Sequence, residues 1–198
     1  VEFAGPYAIR VDGRLLVQGT PGQEILFTSR DPQAASGSWK WIELRRAATD
    51  DLELSKLEHC EIEKGQGGVA ITDGAHEVRS CEIHDMSGHG ITVSSTVQPL
   101  AAPRLELNTI YNVWSGIRST NAQPLIGGAG VGNEIRDFSP SEWHAGIWID
   151  GDYANTLTLE GNDVWQEDPS LQDLGYGITI RKQSSNSTRV NATLIDNA

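Results

Sequence analysis

A four-residue phrase, Gly–apolar–x–apolar, returns along this chain and limits what it can fold into. It reads Gly68-Val69-Ala70-Ile71, Gly90-Ile91-Thr92-Val93, Gly116-Ile117-Arg118-Ser119, Gly146-Ile147-Trp148-Ile149 and Gly177-Ile178-Thr179-Ile180. Trp41-Ile42-Glu43-Leu44 is a sixth copy with Trp in the glycine place. The first apolar positions (42, 69, 91, 117, 147, 178) are spaced by 27, 22, 26, 30 and 31 residues. A short strand returning at roughly 20–50 residues is the mark of stacked repeats rather than of one closed core.

A second signal precedes each strand of the first set. It runs Leu57-x-x-Cys60-x-Ile62, Val78-x-x-Cys81-x-Ile83, Leu105-x-x-Asn108-x-Ile110, Asn133-x-Ile135, Leu159-x-x-Asn162-x-Val164 and Val190-x-x-Thr193-x-Ile195. Each unit therefore holds at least two strands with period-2 alternation, separated by Gly, Asn, Asp and Ser turns. No segment sustains a 3.6-residue apolar period, so little helix is expected. Strands this short cannot bury a face alone. Stacking coil on coil at about 4.8 Å gives each a parallel partner and creates one continuous core.

The expected fold is thus all-β, a parallel β-solenoid of about seven coils formed by residues 1–198 as a single domain. Cys60, Cys81, Asn108, Asn133, Asn162 and Thr193 would then stack as an internal ladder at a bend, satisfying buried polar groups. Stacked cysteines lie within disulfide reach, but their Cβ vectors run parallel and oppose the bridge torsion near 90°. Two buried free thiols are expected.

Bulk properties exclude several functions. With 38% hydrophobic and 21% charged residues, the chain has neither a disordered nor a membrane composition. No stretch approaches the ~20 apolar residues of a membrane span. A net charge of −12 repels a phosphate backbone and argues against nucleic acid. That charge serves solubility, or at its sharpest divalent-cation binding or life in high salt. Asn186-Ser187-Thr188 and Asn191-Ala192-Thr193 fit the N-glycosylation pattern, which has meaning only in a eukaryotic host. The start at Val1 reads as a mature or excised piece, and the terminal residues read as a fragment of a longer solenoid or as ends covered by end-to-end self-association.

The unit Cys-x-Ile…Gly-Ile-x-Val resembles the repeats of right-handed parallel β-helix proteins, the pectin-lyase-like superfamily. Gly13-x-Leu15-x-x-x-Gly19-Thr20, followed by Ile25-x-Phe27-Thr28-Ser29 and then Trp39 or Trp41, is similar to the first coils of secreted bacterial members. The resemblance covers nearly the whole chain. It implies a right-handed, single-stranded coil, a secreted or cell-surface location, and in enzymes of this fold a substrate groove along one sheet.

If the first apolar residue of each phrase points inward, the next points out. One outward column then reads Glu43, Ala70, Thr92, Arg118, Trp148, Thr179, and a second Arg45, Thr72, Ser94, Thr120, Asp150, Arg181. Nearby loops add Trp114, Trp143, His144, Tyr153, Trp165, Asp173 and Tyr176. Arg118, Trp148, Asp150 and Arg181, with His144, Tyr153 and Tyr176, have the chemistry to hold a sugar bearing a carboxylate: the ring packs on Trp while Arg grips the acid. The plainer alternative is that Trp143 and Trp165 cover the core and Arg–Asp is a cross-strand ion pair.

Catalysis has weaker support. Gly88-His89-Gly90 and Arg181-Lys182 resemble polygalacturonase phrases, but the Asn-Thr-Asp and paired Asp motifs of those enzymes do not occur at matching places. A polysaccharide lyase would use Arg181 or Lys182 as base near Asp150, with Asp150, Asp152 and Asp173 as candidate ligands for Ca²⁺. No phosphate loop, zinc spacing or nucleophile signature is present. Three readings follow: a module binding polysaccharide or a cell-surface glycan; a polysaccharide lyase or glycoside hydrolase; and a non-catalytic structural or adhesive surface module.

Overall fold

The computed structural model describes residues 1–46, 54–97, 101–139, 143–151, 156–167, 176–182, 191–195 and 197. Its strands form three sheets of seven, with every strand pair between named strands parallel. The first sheet stacks Glu2–Phe3, Ile25–Ser29, Cys60–Glu63, Glu82–His84, Thr109–Val113, Glu134–Phe138 and Asp163–Trp165. The second stacks Ile9–Val11, Ile42–Arg45, Val69–Thr72, Ile91–Ser94, Ile117–Thr120, Ala145–Gly151 and Tyr176–Lys182. The third stacks Leu16–Gln18, Lys56–Glu58, Glu77–Arg79, Arg104–Glu106, Leu125–Gly127, Thr156–Glu160 and Asn191–Ile195. The chain visits the sheets in turn, so seven coils enclose one apolar core. Among the described residues no helix is long and apolar enough to cross a membrane.

The repeated glycine opens the second sheet, and its role is steric. A Cβ on Gly116 would stand 2.4 Å from Ile135 Cγ2 and 2.7 Å from the carbonyl oxygen of Gly146. A Cβ on Gly90 would meet Ile110 Cγ2 at 2.5 Å and Gly116 O at 2.8 Å. The branched core residue of the next coil thus fills the place of the missing side chain. The same carbonyls accept ladder bonds, as in Ile91 N–H to Gly116 O at 2.8 Å.

In four coils the bend from third sheet to first turns on one left-handed residue. His59, Ser80, Leu107 and Gly161 adopt φ of 50°, 51°, 55° and 67°, the left-handed region that turns the chain sharply. Each is followed by a member of the expected ladder. Asn108 Nδ2 donates to Asn133 Oδ1 at 2.9 Å, Asn133 Nδ2 to Asn162 Oδ1 at 2.8 Å, and Asn162 Nδ2 to Asn197 Oδ1 at 2.9 Å. The same amides donate to strand carbonyls of Val78, Leu105 and Ile126. The ladder therefore ends on Asn197, which corrects the expectation of Thr193. Thr193 pairs with Thr158 within the third sheet, and Leu194 is the partner of Leu159, so Leu194-x-x-Asn197 is the true copy of Leu159-x-x-Asn162.

Cys60 and Cys81 are buried free thiols, as their stacking requires. Trp39, rather than Trp41, is the core tryptophan of the first coils. It is fully buried, stacks on Phe3 at 4.3 Å, and donates from Nε1 to Glu63 O at 2.7 Å.

Filling the glycine column should be costly. Gly116→Ala is expected to lower unfolding free energy by about 2–3 kcal/mol, the upper range for overpacking. Gly13→Ala, where a Cβ meets nothing within 4 Å, should be neutral or slightly stabilising. Urea denaturation midpoints of the two variants test this.

Candidate functional site

The parallel register of the second sheet sets both outward columns as the alternation required. Glu43 aligns with Ala70, Ala70 with Thr92, Thr92 with Arg118, Arg118 with Trp148 and Trp148 with Thr179. Thr120, Asp150 and Arg181 align in the second column. Arg118, Trp148, Asp150 and Arg181 are therefore brought together.

They are not, however, an open platform. Trp148 and Asp150 are each only 3% exposed, and the whole strand Ala145–Gly151 is buried on both faces. Trp148 Nε1 donates to Asp150 Oδ2 at 2.6 Å, and Arg181 Nε donates to Asp150 Oδ1 at 3.0 Å. The Arg181 guanidinium lies 4.3 Å over the Trp148 ring, and that of Arg118 lies 6.0 Å away. The ring expected to receive a sugar is instead taken up by cations of its own face. Both Asp150 oxygens are engaged, which leaves that carboxylate poorly placed as a base or a Ca²⁺ ligand. Arg181 is ion-paired to it.

Tyr176 is exposed at the start of its strand, opposite Ala145. Trp143 is exposed, and Trp165 lies on the first sheet beside Arg136 rather than on this face. Asp152, Tyr153 and Asp173 lie outside the described residues, as does the side chain of Lys182.

The open cavity of this sheet lies two coils earlier. Ala70 and Thr92 are small, and they leave a groove of about 320 Å³ walled by Trp41, Glu43, His89 and Trp114. Trp41 stands in the place where later coils carry glycine. Trp114 lies on the corner leading to Ile117–Thr120, fixed by its backbone N–H to Gly88 O at 2.7 Å, and is 50% exposed. Its ring stacks on His144 at 5.4 Å and meets His89 edge-on at 6.0 Å. Glu43 is held by Arg10 at 2.8 Å, with Arg45 at 3.7 Å.

His89 links the groove to the cationic cluster, with Nε2 3.3 Å from Arg118 Nη1. Burial, then the charge of Arg118, then His144 push its pKa down to about 4. Neutral His89 accepts from Arg118 through Nε2, so its proton sits on Nδ1, which is buried with no hydrogen-bond partner among the described residues. Burial and Arg118 lower His144 as well. Among the described residues no carboxylate pairs with Arg118. The groove thus offers aromatic walls, a carboxylate at one end, neutral imidazoles, and a guanidinium one rung beyond.

Residues 48–198, well over half of the chain, match the family described as the right handed beta helix region. The chain belongs to that family. No curated protein and no solved structure matched the sequence. Membership gives this β-helix its handedness and its coil. The groove comes from departures from the repeat, namely Trp for Gly at 41 and small residues at 70 and 92. Those departures are the signal for the groove in the sequence, and they are chemically plainer than the neighbouring Arg–Trp–Asp cluster.

Two outcomes check this assignment. Trp148→Ala should cost about 3–5 kcal/mol of stability as a buried aromatic, whereas Trp114→Ala should stay within about 0.5 kcal/mol. Between pH 6.5 and 4 the unfolded chain binds a proton that folded His89 refuses. Stability carried by neutral His89 is therefore complete above pH 6.5 and lost as pH falls to 4. His89→Gln should flatten that acid loss in denaturation curves taken across this window.

Proposed function

We propose that this β-helix is a secreted or cell-surface module that binds polysaccharide along the outer face of its second sheet. The observation that carries the reading is the groove over Ala70 and Thr92, with Trp41 and Trp114 on its walls. A pyranose ring has apolar faces for indole and hydroxyls at its rim for a carboxylate. Glu43 offers that carboxylate, and His89 fills the wall between the indoles and Arg118. The next sugar along the column reaches Arg118, whose guanidinium suits a uronate carboxylate. An acidic glycan is therefore the favoured ligand, in spite of the chain's overall negative charge.

The Trp148–Asp150–Arg181 cluster acts in this reading as the rigid end of the site, supporting Arg118 from behind. Arrays of neutral and uronate-containing glycans, followed by affinity electrophoresis, test the proposal. Trp41→Ala and Trp114→Ala should each weaken binding about tenfold, the ~1.4 kcal/mol scale of one lost aromatic contact. Arg118→Met should remove the preference for uronate over neutral sugar while keeping residual binding. Wild-type affinity in both tryptophan variants would sink the reading.

A further inference from the structure

The outer face of the first sheet carries a separate constellation. Parallel register aligns Glu63 with His84, His84 with Tyr111, and Tyr111 with Arg136, while Glu61 aligns with Glu82 in the adjoining column. Ligand atoms of Glu61, Glu63 and His84 all lie within 4.8 Å of one another. His84 is only 7% exposed, unusual for a histidine on an outward face.

Its orientation is fixed on two sides. Nδ1 lies 3.0 Å from Asp85 Oδ2, and a carboxylate can only accept, so Nδ1 carries the proton. The Tyr111 ring stacks on the imidazole at 4.8 Å with an interplanar angle of 1°. Tyr111 is pinned in turn by its hydroxyl to Glu82 Oε1 at 2.7 Å and by Arg136 over its other face at 4.1 Å.

With the Nδ1 proton directed at Asp85, Nε2 is the ring nitrogen left to bind. It faces Glu61 Oε1 at 3.5 Å, and no described N–H or O–H group donates to it. Nε2 and the Glu61 and Glu63 carboxylates thus converge from a side chain that is itself nearly buried, a geometry suited to a shared cation. The 3.5 Å gap also matches the edge between two ligands of a tetrahedral zinc site, about 3.3 Å for bonds near 2.0–2.1 Å. Glu63 is positioned beside them by Thr28 Oγ1 at 2.5 Å and by Lys64 at 3.5 Å. Glu61, Glu63 and Asp85 set three carboxylates against the one ammonium of Lys64, so a dication improves the local balance.

We propose that Glu61, Glu63 and His84 bind one first-row divalent cation of the zinc type. His84 supplies Nε2, the two glutamates supply oxygens, and solvent completes the coordination above the partly exposed Glu61. Asp85 is a positioning residue that holds the imidazole tautomer, as carboxylates behind metal-bound histidines do. The site lies on a different sheet from the glycan groove and stands independently of that reading.

The test uses the whole chain stripped with a chelator and titrated with Zn²⁺ by calorimetry, and with Co²⁺ followed by its visible bands. One Zn²⁺ per chain is expected, with tetrahedral Co²⁺ bands. His84→Ala should weaken binding at least thirtyfold and erase those bands, and Asp85→Asn should weaken it about tenfold. Glu61→Gln, at a half-exposed surface position, serves should His84→Ala fail to fold, and it should cost at least tenfold. A chain that takes up no Zn²⁺ overturns the proposal. So does affinity unchanged by Glu61→Gln, since the imidazolium–Glu61 ion pair would then account for the geometry.

Discussion

Close packing at the corner entering the second sheet is the constraint on which the rest of the coil depends. There, the backbone of one coil, the carbonyl of the next and a branched core side chain compete for the volume of a single Cβ. From Gly68 to Gly146 only glycine releases that volume, and its release lets ladder bonds and core contacts form together. The opposite corner uses a complementary device, a left-handed residue followed by an amide that bonds to its stacked equivalents. Between these two fixed points the strands follow from period-2 alternation. Outside them, loop length is unconstrained, which is why repeats of 22 to 31 residues share one cross-section.

Function on such a scaffold arises where the repeat is broken without disturbing the corners. Trp41 replaces glycine at the edge of the second sheet, and two small outward residues follow it in successive coils. The result is a recess in an otherwise filled face. Beyond it, Trp148, Asp150 and Arg181 neutralise and cover one another. Charge and aromaticity there are consumed by stability rather than offered to a ligand. Arg118 lies at the boundary between these two regimes.

Much of this was legible in the residues. The phrase spacing yielded the coil, and alternation yielded both outward columns in correct register, because parallel stacking has no freedom once the glycine and isoleucine positions are aligned. Burial was not legible. A side chain that points away from the core can still be covered by neighbours on its own face, and Trp148 is covered in this way. Thr193 was misplaced for another reason: the hydroxyl looked like a ladder member, but register depends on Leu194, one residue further along. The Glu61–Glu63–His84 group was hidden because its members sit in different coils, with none of the short spacing that betrays a metal motif.

The asparagine ladder has a consequence for how such a chain can change. Each amide accepts from the coil before it and donates to the coil after it, so the ladder senses phase and is indifferent to contour length. A whole unit that brings its own Leu-x-x-Asn-x-Ile phrase can be spliced in as a cassette, and a loop can grow between corners without being noticed. A single-residue deletion inside the phrase has no such tolerance. Diversification is thereby channelled into insertions and duplications on the outside of the coil, where both candidate sites lie.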